Sequence, residues 1–217
     1  MYLYIANWLK TSCVLLVYFF FTVQLVAQPL SKQVDSIRQV VKYAVADTDR
    51  VNGLISLSKA YNCADSGDKM KAAKEALQIA KKIQWRNGMI NANLALGRIY
   101  FNCIQDYATS YKYFQQVVSM AKTCRDTTNE AIGLLHIAQV YGIYNQYAHR
   151  IDCYRQVLSL KISPERRLGA LSNIGDTYTA IGDYTIALVY YDSALQVLNA
   201  LMTAEKKRGI ILCLRLY

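Results

Sequence analysis

Apolar positions along this chain recur at helical spacing, and the helical pattern itself recurs. Leu57, Leu96, Ile137, Ile174 and Cys213 are followed by Ser58, Gly97, Ala138, Gly175 and Leu214. Three residues further on stand Tyr61, Tyr100, Tyr141, Tyr178 and Tyr217, spaced 39, 41, 37 and 39 residues apart. A second set keeps step with the first: Ala72, Ala76 and Ile79; Ser110, Phe114 and Val117; Arg150, Tyr154 and Val157; Ala187, Tyr191 and Ala194. Steps of four and three place each trio on one helical face. Turn formers fall between the two sets, as Ser66-Gly67-Asp68, Gln105-Asp106-Tyr107, Asn145-Gln146-Tyr147 and Gly182-Asp183-Tyr184. The pattern predicts tandem helical hairpins. The small residue lets two helices approach closely, and the tyrosine is expected to cap the packed seam one turn later.

Helix starts carry their own signals. Thr127 with Glu130 fits a capping box, Ser163-Pro164-Glu165 supplies an N-cap and a first-turn proline, and Asp47 with Asp49 read as caps. Between Ser31 and Val45, the residues Val34, Ile37, Val40, Val41 and Ala44 predict an amphipathic helix that lids the first hairpin. No stretch alternates like a strand, so the expected fold class is all-α.

One copy carries a fuller pattern: Leu171, Ile174, Gly175, Tyr178, Gly182, Tyr184, Ala187, Tyr191 and Ala194. It resembles the tetratricopeptide repeat, and the resemblance extends from about Arg50 to Tyr217. The spacing exceeds the ~34 residues usual for that repeat, and the proline that often closes its hairpin is absent at Asn199. A HEAT-like two-helix repeat is the alternative. The resemblance implies a right-handed α-solenoid, with a capping helix over 28–49, four degenerate hairpins over 50–202 and the first helix of an incomplete fifth repeat over 203–217. Arg150 replaces the family's small residue, which predicts a shifted or splayed third hairpin. Leu214 is too large for its place, so the fifth copy is the weakest. Solenoids normally end on a polar helix. The apolar run from Gly209 to Tyr217 therefore reads as a truncated frame, a fragment, an oligomer interface or one closing helix.

The same resemblance implies that the inner faces of the first helices line a concave groove for a protein or peptide. By register those positions are Asn52, Ile55, Lys59 and Asn62, then Asn91, Leu94, Arg98 and Phe101. They continue with Ile132, Leu135, Gln139 and Gly142, then Gly169, Ser172, Asp176 and Thr179. Asn52, Lys59, Asn62, Asn91, Arg98, Phe101, Gln139, Asp176 and Thr179 form the candidate site, and Lys59 and Arg98 are its cations. The family's carboxylate clamp is not implied, because Lys59 stands where that clamp has asparagine and Ile55 where it has lysine.

The first 27 residues are of another kind. Lys10, an apolar run from Cys13 to Phe21 and Ala27 describe a secretory signal peptide, with an uncleaved anchor as the alternative. The run is short of the ~20 residues a membrane span needs. Export to the periplasm or cell envelope follows, and it argues against nucleic acid as the partner of a chain with formal charge +10. The densest basic groups, Lys69, Lys71, Lys74, Lys81 and Lys82, then Lys206, Lys207 and Arg208, read as solvated helix faces. The 18 tyrosines fall mostly on packing positions. Cys63 and Cys103 follow the tyrosines of neighbouring hairpins, so a disulfide is conceivable in an oxidising compartment. Cysteine also serves as a small buried residue, and mostly free thiols are expected.

Little in the sequence carries chemistry. There is no Walker loop, no G-x-G-x-x-G, no H-E-x-x-H and no C-x-x-C. His149 and Cys153, four apart, make half a metal site at most, and the chain is read as non-catalytic, without cofactors. The leading expectation is an exported, non-catalytic scaffold for a protein or peptide. A second is the extracytoplasmic sensor piece of a truncated bacterial membrane signalling protein, a histidine kinase or transcriptional regulator. A third, an envelope metal- or thiol-dependent enzyme, rests only on His149, Cys153 and the odd cysteine. Self-association is expected, if at all, through the apolar C-terminal helix.

Overall fold

The computed structural model describes the backbone of residues 32–214 and the side chains of residues 32–203. The expected signal peptide over 1–27 lies outside the described residues. The elements are α1 (32–43), α2 (Asp47–Ala60), α3 (Ser66–Lys82), α4 (Arg86–Ile99), α5 (Tyr107–Cys124), α6 (Thr127–Ile143), α7 (Tyr147–Ser159), α8 (Pro164–Ile181) and α9 (Tyr184–Leu214). A 3-10 turn at Cys63–Asp65 precedes α3, and a π-turn at Tyr100–Ile104 prolongs α4. No strand occurs among the described residues. Each helix packs mainly on its sequence neighbours, giving the hairpins α2–α3, α4–α5, α6–α7 and α8–α9. Valine and isoleucine from α1 (Val34, Ile37, Val41) pack on the cluster of α2, α3 and α4, as a lid would. A larger cluster then runs from Ile90 in α4 to Ile174 in α8.

The small residues do what their pattern predicts. A Cβ on Gly97 would lie 2.5 Å from Phe114 Cε1, and one on Gly175 would lie 2.6 Å from Tyr191 Cε1. In hairpins two and four, an aromatic ring of the second helix therefore occupies the space a glycine of the first leaves open. Ser110 Oγ ties the same seam by donating to the Gly97 carbonyl at 2.9 Å. Ser58 and Ala76 are both buried in hairpin one, as are Ala138 and Tyr154 in hairpin three. Arg150 does not splay the third hairpin. Its guanidinium lies where a Cβ on Gly142 would be 3.3 Å away, and 5.8 Å from the centroid of the Tyr154 ring, while Ile151, Tyr154 and Val157 stay buried.

The hairpin tyrosine has a different role from the one expected. Each hydroxyl reaches back to the helix before its own hairpin: Tyr61 accepts from Arg38 at 3.0 Å, and Tyr100 meets Met70 Sδ at 3.9 Å. Tyr141 bonds Tyr111 at 3.1 Å, and Tyr178 accepts from Arg155 at 3.2 Å. The tyrosine clasps neighbouring units together instead of closing the seam inside one.

Several local expectations shift by a residue. Asp126, not Thr127, caps α6 by accepting from Asn129 N at 3.0 Å, while Thr127 donates to the Lys161 carbonyl. Asp47 and Asp49 sit in the first turn of α2, whose N-cap is Ala46, and so act on the helix dipole and not as caps. Ser163 and Pro164 behave as read. Ser66 opens α3 instead of standing in the turn. Where a separate helix over 203–217 was expected, α9 continues without a break to Leu214.

Cys63 and Cys103 form a disulfide with Cα atoms 5.0 Å apart, where mostly free thiols were expected. The π-turn delivers Cys103. Seven residues separate Tyr100 from Tyr107, one more than separate Tyr141 from Tyr147 or Tyr178 from Tyr184. A π-turn is how a helix absorbs one extra residue. The bridge ties the first hairpin to the second. Cys124 is free and half-buried, and Cys153 is free and buried.

Two glycine substitutions separate space from backbone freedom. Gly97→Ala must overpack Phe114 and is expected to lower stability by about 1–3 kcal/mol. Gly169→Ala, in α8 with nothing within 4 Å of the added Cβ, is expected to raise it by about 0.5–1 kcal/mol. Denaturant unfolding followed by circular dichroism measures both.

Candidate functional site

The first helices present a polar row. Asn52, Lys59, Asn62, Arg98, Gln139, Asp176 and Thr179 are exposed, and Asn91 and Phe101 are half-buried. Ile55 and Leu94, from the same register, are buried in the core beneath.

The centre of the row is a chain in which Arg98 and Gln139 are joined by His136, a residue the sequence did not single out. Arg98 Nε on α4 donates to His136 Nε2 on α6 at 3.0 Å, and His136 Nδ1 faces Gln139 Oε1 at 2.8 Å. The imidazole ring lies flat on Phe114, centroids 4.6 Å apart. Because Nε2 accepts, Nδ1 carries the proton and donates to Gln139, so the imidazole is neutral. Burial holds the His136 pKa below its ordinary 6.5 and the Arg98 charge pushes the same way, against the opposing bond to Gln139.

Towards the first hairpin the row becomes cationic. Ser58, Lys59, Cys63, Lys69, Ala95, Arg98, Asn102 and Cys103 line a cleft of about 190 Å³, and the disulfide forms part of its wall. Lys59, Lys69 and Arg98 bring three cations to it, and no carboxylate lines it. The Lys69 ammonium donates to the Tyr61 carbonyl at 2.6 Å, and burial lowers its pKa. Lys59 also borders a second cleft of about 400 Å³ with Asn62, Gln33 and Ile37. Towards the fourth hairpin the charge reverses. Asp176 accepts from Tyr191 Oη at 2.7 Å, and Thr179 donates to the Gly175 carbonyl at 3.0 Å.

Not all the expected residues join this row. Phe101 packs edge-on to Tyr107, centroids 5.3 Å apart, in an aromatic group with Tyr144. His149 stacks on Tyr141 at 5.1 Å, and burial first, then the Asp152 charge, pushes the Cys153 thiol up to about 11. A thiol held in its neutral form carries little thiolate for attack at neutral pH. Among the described residues no three histidine, cysteine or acidic side chains gather as a metal site.

No protein-family model matches the sequence, and no curated protein matches it. Solved structures do match the backbone. BtubC (BKLC) from P. vanneervenii superposes with a TM-score of 0.70 at 13% identity, over 82% of this chain and 76% of that one. The kinesin-light-chain TPR-like repeats of Podosopora anserina superpose with 0.64 at 15% identity, over 80% and 89%. A Rap protein complexed with competence and sporulation factor gives 0.66 at 13% identity, over 83% of this chain but 52% of that one. The fold is a tetratricopeptide-repeat solenoid. The HEAT alternative is set aside, because matches at these identities report fold, and fold is what separates the two.

Within this tetratricopeptide solenoid, His136 and Asn102 are the site residues that register alone missed. Both were within reach: Asn102 lies four residues after Arg98, and His136 three before Gln139, so each shares a face with a residue already chosen. The lowered His136 pKa fixes the sign of a pH effect. The folded state binds fewer protons than the unfolded chain, so this contribution to stability is complete above about 6.5. It falls as pH drops from there towards the lowered value. Between pH 7 and pH 5 the wild type is expected to lose stability in denaturant titrations, and His136→Gln to lose less over the same interval.

Proposed function

We propose that the chain is an exported, non-catalytic scaffold that binds a protein or peptide along the face of its first helices. The observation that carries this is the cleft between hairpins one and two, where Lys59, Lys69 and Arg98 meet without a carboxylate. A surface that gathers like charges with no counter-ion lowers its own stability, and an acidic group on a partner offsets that cost. Arg98 is further held by His136, which Gln139 orients, so part of the ordering entropy of binding is already spent. The Rap structure is named for its complex with a competence and sporulation factor, which supports reading the shared fold as a binding one. The Cys63–Cys103 bridge supports export, since such a bond persists outside the reducing cytosol.

Lys59→Glu with Arg98→Glu is expected to abolish capture of the partner from envelope extract while leaving the helical circular dichroism unchanged. Lys81→Glu with Lys82→Glu, the same change of charge away from the cleft, is expected to leave capture intact. Equal capture by both variants would contradict the reading. Export is tested by maleimide labelling in intact cells: Cys63 and Cys103 should resist the reagent until a reductant is added. In purified protein Cys63→Ser should cost about 2–4 kcal/mol, the usual worth of a bridge closing a loop of this order.

A further inference from the structure

We propose that the Cys63–Cys103 bridge is a redox switch for the cleft it borders, opened by a dithiol reductant and closed again by oxidation. The oxidised form binds the acidic partner proposed above, so the switch rests on that reading. Both cysteines line the cleft, together with Lys59, Lys69 and Arg98. Cys63 is exposed and Cys103 half-buried, so a thiol reaches the bridge from the Cys63 side. An exposed disulfide belongs to the labile, regulatory class, unlike one sealed in a core.

Neither cysteine sits in a regular α-helix. Cys63 opens the 3-10 turn Cys63–Asp65, Cys103 lies in the π-turn Tyr100–Ile104, and neither turn contains a buried residue. The core beneath, with Val51, Leu54, Ala76 and Ala92, is built from the helices themselves. Cutting the bridge therefore frees two surface turns and leaves the hairpins packed. Single π-turns inside helices recur at functional sites, and here the π-turn is what carries Cys103.

The cations favour the exchange. A thiolate of the dithiol attacks Cys63 Sγ, the sulfur–sulfur bond breaks, and Cys103 leaves as a thiolate. The second thiol of the reductant attacks the mixed disulfide, frees Cys63 and departs with the reductant's own disulfide formed. Two electrons pass to the cysteines, and the dithiol's two protons go to them or to solvent. Positive charge draws in the attacking thiolate and stabilises the leaving one. The reduced product then opposes binding in two ways. A thiolate among Lys59, Lys69 and Arg98 gives a cleft without carboxylates its own anion, which competes with an acidic ligand. The freed turns also regain the disorder that the bridge had removed. Both effects have the same sign.

The test uses the purified full chain, either oxidised or reduced with dithiothreitol and desalted, with a hexaglutamate peptide as the acidic probe in calorimetric titrations. Reduction is expected to weaken hexaglutamate binding about fivefold while the circular dichroism holds, and reoxidation to restore it. Cys63→Ala with Cys103→Ala, which loses the bridge and gains no thiolate, is expected to bind with intermediate strength and to ignore dithiothreitol. Reduction of the bridge, followed by maleimide quenching, is expected to slow about threefold in Lys59→Gln with Arg98→Gln. Equal binding by the oxidised and reduced chains would overturn the switch and leave the scaffold reading standing. So would helical signal lost on reduction, a response of the double-alanine variant to dithiothreitol, or an unchanged rate in the glutamine variant. Absence of binding by the oxidised chain would contradict the scaffold reading itself, and the switch with it.

Discussion

Everything in this molecule depends on how closely two helices of a hairpin can approach. Gly97 and Gly175 leave room, and the rings of Phe114 and Tyr191 occupy it so fully that even a methyl group would collide. Packing of this kind is short-ranged, because dispersion contacts are lost over a gap of a fraction of an ångström. A hairpin assembled this way still cannot bury its outer face, so each unit needs a neighbour. The tyrosines make that second contact, each hydroxyl reaching the preceding helix. One residue type thus closes the hairpin and another joins the hairpins into a solenoid.

The candidate site inherits its geometry from this stacking. Arg98 and His136 belong to the first helices of successive hairpins, 38 residues apart in sequence, and they meet only because those helices lie side by side. Phe114 does two jobs there: one ring fills the space above Gly97 and supports the imidazole of His136. The disulfide adds a covalent tie between hairpins one and two at the π-turn. The cationic end of the row is therefore the part tied by a covalent bond.

Much of this was legible in the sequence, and the limits have physical causes. The hairpins, their register and the lid over the first unit follow from periodicity, which depends only on which face is apolar. The direction of a tyrosine hydroxyl does not, so its role as a clasp between units had to be seen. Arg150 looked too large for its place because the pattern concealed that Gly142 makes space for it. The Cys63–Cys103 bond was undetermined because a thiol and a small apolar residue occupy the same positions. Arg98 and Gln139 were chosen from the repeat register. His136, which joins them, is off that register; its place three residues before Gln139 puts it on the same face, but its bond to Arg98 exists only when two hairpins are stacked.

The central claim is that the close approach of a small residue and its facing side chain holds the hairpins together, as a ring over glycine in hairpins two and four, and a double-mutant cycle on Gly97 and Phe114 tests it most directly. Gly97→Ala, Phe114→Leu and the pair of substitutions would be compared in denaturant unfolding. The account predicts strong coupling: Phe114→Leu should make room for the added methyl, so the double variant is more stable than the sum of the two losses implies, by about 0.5–3 kcal/mol. Losses that simply add would show that the ring and the glycine act independently, and would contradict the account.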